Sequence, residues 1–328
     1  MISTKSSILT LLEDNRDCAL SGSDIAKRLN ISRSAVWKGV EELRREGYEI
    51  SAVTNRGYSL SRHSDILSAE GLLNYLCCPF ITRDKIHVYK SIGSTNQEAK
   101  KLAVAGADQG TLVMAEGQTE GRGRMGRSFF SPEGTGIYMS LILRPRDSDF
   151  EAMSATAAAA SAVCRALSEV LGIKARIKWV NDIFVDDLKV CGILAEAVSD
   201  FQTHSIESLI IGIGINVLTK PEAFPEGIRG IAGSLLKTPA PVSRNQIAAA
   251  VLDSLWDLIF NTDTETMIEE YRSRSFLPGR PITVHRGNEV YNAKALDIDN
   301  KGGLIIEKYD GSVETLRSGE VSVRPVTY

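Results

Sequence analysis

Seven consecutive residues, Gly121-Arg122-Gly123-Arg124-Met125-Gly126-Arg127, join three glycines to three arginines. Glycine has no Cβ to hold a ligand away from the backbone. Arginine adds a permanent charge and a planar donor fork that matches phosphate or carboxylate. Such a stretch can close around an anion. Positions 121–126 also spell G-x-G-x-x-G, but the dinucleotide fingerprint needs a strand before it and a helix after it. Leu112-Val113-Met114-Ala115 reads as a strand. The residues after the loop, Ser128 to Gly134, cannot open a long helix because Pro132 and Gly134 interrupt them. Ile137 to Leu143 is β-like again, so this is a glycine-arginine loop between strands.

Three other places carry candidate chemistry. Ser94-Thr95-Asn96 stands where the strand Lys85–Lys90 hands over to a helix, Gln97–Ala105. Its polar groups either cap that helix or bind a ligand beside free helix N–H groups, and the triplet alone favours the cap. Lys189 opens the apolar run Val190–Glu196; it either snorkels at a sheet edge or points into a pocket. Gly212 and Gly214 interrupt the strand within Ser205–Val217 and imply close approach of a ligand or another backbone.

The elements around these residues fall into three units, 1–64, 65–275 and 276–328. The first reads as helix 4–13, a short helix 23–29, a turn, and a helix capped by Ser32 over 33–43. That is a helix–turn–helix, which presents Ser32, Arg33, Ser34, Trp37 and Lys38 to a major groove. A β-hairpin with Arg56 at its tip, in Asn55-Arg56-Gly57, makes a wing. Residues 22–45 hold six basic and three acidic groups in a chain of net charge −3. This local basicity favours DNA binding over a purely packing role. The middle unit alternates strands with the Ala-rich helix Glu151–Leu171, an antiparallel meander over 175–217, an irregular connection 218–242, and a helix opened by the capping box Ser243-Arg244-Asn245-Gln246. After Pro278-Gly279 only short strands remain, spaced as in a small barrel.

Bulk composition limits the classes. At 328 residues, 43% hydrophobic and 24% charged, the chain reads as a soluble multidomain protein. It has no apolar run of about 20 residues for a membrane span, and no signal peptide is expected. Five cysteines (18, 77, 78, 164, 191) without a C-x-x-C pair, and four histidines, point to reduced thiols in the cytoplasm and to no metal cluster.

Taken together, Ser94-Thr95-Asn96, Gln118 with Gly121–Arg124 and Gly126-Arg127, Lys178-Trp179 with Asn181-Asp182, Lys189 with Gly192-Ile193-Leu194, and Gly212–Asn216 resemble the bacterial biotin protein ligases in their bifunctional form, the biotin operon repressors. The resemblance covers essentially the whole chain. It implies an α+β fold: a winged helix–turn–helix, a central mixed β-sheet with helices related to class II aminoacyl-tRNA synthetases and lipoate ligases, and a C-terminal SH3-like barrel. It implies formation of biotinyl-5′-AMP from biotin and ATP, with Mg²⁺, and transfer of biotin to a lysine of a biotin carboxyl carrier domain. A homodimer promoted by the adenylate would bind operator DNA, and the strand bearing Gly212–Asn216 is a candidate interface. By position, Ser94, Thr95, Asn96, Gln118, Arg122, Gly123, Arg124, Lys189 and Gly192 would hold biotin; Arg127, Phe129, Asn181, Asp182 and Asn216 would hold ATP or the adenylate; and Lys189, Arg122 and Arg124 would carry the catalysis.

The chain departs from the pattern in three places. Phe129 replaces the usual Trp expected to stack on adenine, with less area and so weaker expected ATP affinity. Val180 replaces a proline, with the turn expected to survive. Met125 stands where some relatives have a basic residue. Two other readings compete: a lipoate- or octanoate-type ligase of the same fold, which the polar residues 94–96 and 118 disfavour, and a non-enzymatic biotin-sensing repressor, which Lys189 and the intact loop disfavour.

Overall fold

A computed structural model describes residues 3–53, 56–144, 152–199, 206–287 and 289–323. Asn55, Asn288 and Arg324, and the expected element ends Glu151 and Ser205, lie outside these residues. In chain order, α1 (Thr4–Glu13), α2 (Gly22–Leu29) and α3 (Arg33–Arg45) lead to the hairpin of β1 (Ile50–Val53) and β2 (Gly57–Leu60). Ser3, Ser21 and Ser32 each accept a backbone N–H with their side chain at the start of a helix. Each such cap satisfies a donor that the helix leaves free and contributes about 1 kcal/mol. Asn30, left-handed at φ 52°, ends α2 and makes the turn. Ile8, Leu12, Ile25, Val36, Val40, Leu43 and Leu60 form a core belonging to this unit alone.

The middle of the chain supplies α4 (Ala69–Leu73), β3 (Ile86–Ile92), α5 (Thr95–Val104), β4 (Leu112–Gln118), β5 (Gly136–Leu143), α6 (Ala152–Leu171), β6 (Arg176–Lys178), β7 (Asp182–Val185), β8 (Leu188–Ser199), β9 (Ile206–Asn216), α7 (Arg244–Phe260) and α8 (Thr264–Arg274). Its seven strands run in the order β3-β4-β5-β9-β8-β7-β6, with β3 and β4 parallel and the other pairs antiparallel. Strand β9 is hydrogen-bonded to β5 on one side and β8 on the other. Strand β9 therefore offers no free edge along Gly212–Ile215, so two subunits cannot be joined by adding a strand there.

The pleat sorts residues by parity. On one face Leu141, Ile193, Ile211 and Ile213 pack into the main core with the alanines of α6. On the other, Val113, Ile142, Val198 and Ile210 meet Ala99 and Ala103 of α5. Ser140, Gly192, Leu194, Glu196, Gly212 and Gly214 share the parity of this second face. Registers Ser140↔Gly212↔Leu194 and Tyr138↔Gly214↔Gly192 set two rows across it.

Strands β10 (Pro281–Arg286), β11 (Glu289–Ile298), β12 (Leu304–Lys308), β13 (Val313–Leu316) and β14 (Glu320–Val323) form an antiparallel sheet in the order β13-β12-β11-β10-β14. Its buried Ile282, Val284, Ile298 and Leu304 belong to the same core as the central sheet. Trp179 Nε1 donates to Gly302 O at 2.9 Å and ties the two together.

One buried charge locks the start of the central unit. Arg244, 1% exposed at the head of α7, donates to Asp65 Oδ2 at 3.0 Å, Glu116 Oε2 at 2.8 Å and Gly136 O at 2.9 Å. Glu116 Oε1 in turn accepts from Leu67 N at 2.6 Å. A buried ion network is costly to break because each orphaned carboxylate stays desolvated. Replacement Arg244→Met is expected to lower unfolding free energy by about 3–5 kcal/mol. A denaturant midpoint shift worth less than about 1 kcal/mol would show that the network does not hold this segment.

Candidate active site

The glycine-arginine loop leaves β4 and returns to β5 as a closed hairpin. Gln118 N donates to Ser131 O (3.0 Å), Phe129 N to Gly121 O (2.8 Å) and Gly123 N to Arg127 O (2.7 Å). Arg124–Gly126 is a single 3-10 turn with Met125 at φ 56°, not a long helix. The loop borders two connected cavities. The larger, about 510 Å³, is lined by Arg122, Gly123, Arg124, Arg127, Phe129, Lys178, Asn181, Asp182, Lys189, Gly192, Asn216 and Glu320, among others. The smaller, about 20 Å³, is lined by Ser94, Thr95, Asn96, Gln118, Gly212 and Gly214 and shares Arg122, Phe129, Gly192 and Leu194 with the larger. The structure thus brings all the expected ligand residues to one place.

The smaller cavity exists because α5 starts directly above the glycine rows. A Cβ on Gly212 would lie 2.0 Å from Asn96 Oδ1. Ser94 precedes the helix, but its hydroxyl makes no capping bond. The first helical N–H, Thr95 N, donates instead to Gln118 Oε1 at 2.9 Å, and Thr95 Oγ1 lies 3.1 Å from the same oxygen. Asn96 Nδ2 donates to Glu196 Oε2 at 2.8 Å and to Leu194 O at 3.2 Å. The Phe129 ring lies over the next row, where a Cβ on Gly214 would come within 2.6 Å of it. It meets Tyr138 edge-on, with centroids 6.4 Å apart. Phe129 therefore forms the boundary between the cavities.

Lys189 owes its direction to a β-bulge. Ile183 pairs with Cys191 and Phe184 with Lys189, so Val190 is the extra residue. Val190 and Cys191 both face the main core. Strict alternation would have sent Lys189 there too, but the bulge turns it to the cavity face with Gly192. Of its two readings, the pocket position is the one found. Its Nζ lies 2.6 Å from Asp182 Oδ1. Arg124 Nη1 donates to Asn181 Oδ1 at 3.3 Å, and burial holds its guanidinium below the ordinary arginine value. Burial also lowers the Lys178 ammonium, partly offset by Asp182. Arg122 lies against Gln97, whose amide oxygen, turned toward it, accepts from the guanidinium. Arg127 pairs with Glu320 at 2.6 Å. The lining carries five basic side chains against two carboxylates, which suits a ligand with several negative charges. Asn216 is buried, donates to Gly233 O at 3.0 Å, and leaves its Oδ1 without a partner.

Several contributors were not singled out from sequence. Lys178 stood in the Lys-Trp pair, a signal that was present. Ser140 is the only serine or threonine in the run 137–143, and Glu196 closes the run after Lys189. Glu320 and the segment around Ile231, which accepts Lys189 N at 2.8 Å, gave no local signal. At the N-terminus Ser32, Arg33, Ser34, Trp37, Lys38 and Arg56 are all exposed, Trp37 by 54%. The turn at Val180 is retained, and its carbonyl accepts from Tyr271 Oη at 2.9 Å.

Gly212→Ala tests the stacking of helix on glycine. It is expected to displace Asn96 and lower stability by about 1–3 kcal/mol. Gly227→Ala, where a Cβ meets nothing within 4 Å, serves as the neutral control in the same thermal melts. Equal melting of the two variants would refute the close contact.

The model of the biotin/lipoate A/B protein ligase family matches residues 88–216; an HTH domain matches 4–59, and the biotin protein ligase C-terminal domain matches 279–324. The chain is 35% identical over 317 residues to the bifunctional ligase/repressor BirA of Bacillus subtilis, covering 93% of this chain and 94% of the relative. It is 27% identical to the protein of that name in Escherichia coli, covering 93% and 92%. The biotin protein ligase of Aquifex aeolicus, solved in complex with biotin and ATP, superposes with a TM-score of 0.62 at 28% identity, over 73% of this chain and 98% of that one. In sequence and domain order, the chain belongs to the biotin protein ligase family in its bifunctional ligase/repressor form.

Proposed function

We propose that this chain activates biotin with ATP, transfers it to a lysine of a biotin carboxyl carrier domain, and represses transcription in response to biotin. The observation that carries the reading is the junction of the two cavities: a small polar pocket opens at Arg122 and Phe129 into a large cationic one. Biotin has that form, a compact polar ring system at one end and a carboxylate at the other. Ser94, Thr95, Asn96 and Gln118 take the ring; Arg122, Gly123, Arg124, Gly192 and Lys189 take the chain and carboxylate. Arg127, Phe129, Asn181, Asp182 and Asn216 border the nucleotide. Residues 1–64 read DNA, 65–275 hold the chemistry, and 276–328 close the site through Glu320.

In the first step a biotin carboxylate oxygen attacks the α-phosphorus of ATP. The bond from that phosphorus to its bridging oxygen breaks, and pyrophosphate leaves. Two anions must meet, so the site has to neutralise them first. Lys189 and Arg124 do this: Lys189 exchanges Asp182 for the reacting oxygens, and Arg124, already desolvated, acts undiluted by water. ATP would enter as its magnesium complex, the ion supplying further neutralisation of phosphate charge, with Asp182 and Glu320 the carboxylates that line the cavity. In the second step the neutral acceptor lysine attacks the acyl carbon, an amide forms and AMP leaves; positioning alone suffices. Bound adenylate orders the loops and promotes a homodimer whose two recognition helices meet two half-sites.

Biotin-dependent exchange of pyrophosphate into ATP tests the enzyme directly, and its absence would leave only a sensor. Lys189→Ala should reduce exchange by about 10²–10³-fold. Arg124→Ala should retain exchange but release the adenylate faster, so unchanged retention refutes that role. Operator affinity should rise with biotin plus ATP. Arg33→Ala should weaken it and flatten its salt dependence while leaving exchange intact. DNA binding indifferent to both ligands would end the coupling idea.

A further inference from the structure

Four of the cations that line the larger cavity divide by the kind of partner they have. Lys189 lies 2.6 Å from Asp182 and Arg127 lies 2.6 Å from Glu320, so carboxylates offset both charges. Arg124 and Arg122 rest instead on neutral amides, those of Asn181 and Gln97. A guanidinium has only donors, so the Gln97 amide must offer it oxygen. That oxygen accepts from Nη1 at 3.0 Å and from Nε at 3.1 Å, and Nη2 also faces it. Among the described residues no carboxylate forms an ion pair with Arg122, so its charge stays available to a ligand.

Gln97 has a local use that it does not take. Ser94-Thr95-Asn96-Gln97 spells a capping box, in which the Gln amide would reach back to the Ser94 N–H. Ser94 makes no side-chain cap, and the Gln97 amide goes to Arg122. Both supports of this contact are fixed. Arg122 pairs with Ser128 through the backbone, and Gly121 O and Gly123 N bond Phe129 N and Arg127 O. The turn that carries Gln97 is held by Asn96, whose Oδ1 lies 2.6 Å from Ser140 Oγ and whose Nδ2 donates to Glu196 Oε2 at 2.8 Å. The Arg122 side chain itself is exposed, and a long exposed side chain without a partner samples many rotamers. Gln97 restricts it before a ligand arrives. A carboxylate in its place would restrict it too, but a ligand carboxylate would then compete with a resident anion. Gln97 lines neither cavity, whereas Arg122 lines both. We propose that Gln97 is a positioning residue: it holds Arg122 at the junction of the cavities without neutralising it, and so sets the preference for a ligand whose tail ends in a carboxylate. This rests on the biotin reading above and deepens it by naming a residue outside the cavity that governs selection of the charged end.

The experiment compares biotin with its alcohol analogue, in which the carboxylate is reduced to a primary alcohol. Dissociation constants are measured calorimetrically on the full chain as wild type, Gln97→Met, Gln97→Glu, Arg122→Ala and the double variant Gln97→Met/Arg122→Ala. Wild type should bind biotin about tenfold or more tightly than the alcohol. Gln97→Met keeps the length of the side chain but not its acceptor, and should shrink that ratio at least about threefold by weakening biotin while leaving the alcohol within about twofold. Gln97→Glu should shrink it at least as far, because the added carboxylate neutralises Arg122. Arg122→Ala should lower the ratio, and adding Gln97→Met to it should change nothing more. A merely structural role for Gln97 would weaken both ligands alike, or would act equally in the Arg122→Ala background; either result overturns the proposal. So does Gln97→Glu with the wild-type ratio, which keeps the test decisive if Gln97→Met does not fold. Wild type that fails to bind biotin would overturn the biotin reading and this proposal together. Biotin binding with a ratio indifferent to Gln97 overturns this proposal alone.

Discussion

Asn96 can stand where it does only because Gly212 beneath it has no side chain, and Phe129 can lie where it does only because Gly214 and Gly192 have none. A helix packed on an ordinary sheet is held off by a layer of side chains. Here the N-terminus of α5 descends onto bare backbone, and the gap that remains is a small polar cavity instead of a hydrophobic layer. Gln118 Oε1 satisfies the first helical N–H, that of Thr95. The polar pocket and the buried start of the helix are one consequence of two glycine rows in register.

The larger cavity depends on a different backbone irregularity. One extra residue in β8 reverses the parity of the strand at Lys189 and brings its ammonium beside Asp182. Without the bulge the charge would face the core, where desolvation would oppose it. Around it the cations come from separate parts of the chain: the loop supplies Arg122, Arg124 and Arg127, β6 supplies Lys178, and β14 supplies the counter-charge Glu320. Convergence of like charges is unfavourable in the empty site and is relieved when an anion enters. The ion pairs of Lys189 and Arg127 hold part of that charge in check meanwhile.

The same sheet also carries the link to the DNA-reading unit. Glu116, two residues before Gln118 on β4, accepts from Leu67 and Arg244, and Arg244 also binds Asp65 and the carbonyl of Gly136. The segment that joins the winged helix to the rest is therefore anchored on the strands that bracket the glycine-arginine loop.

Local interactions were legible in the order of residues. The capped helices of the first unit, the turn at Asn30, the hairpin, the strand–loop–strand around Gly121–Arg127 and the antiparallel meander follow from periodicity, caps and breakers, because each depends on neighbours within a few residues. The residues that line the two cavities were legible as motifs for the same reason. What the sequence could not decide was direction and partnership. The pocket-facing turn of Lys189 depends on strand pairing with β7. The central place of β9, which removes it as a dimer edge, depends on the order of seven strands. The roles of Ser140, Glu196 and Glu320 depend on contacts between residues as many as 193 positions apart, such as Arg127 with Glu320. Pairing, register and parity arise only when the sheet closes, so tertiary structure alone could settle them.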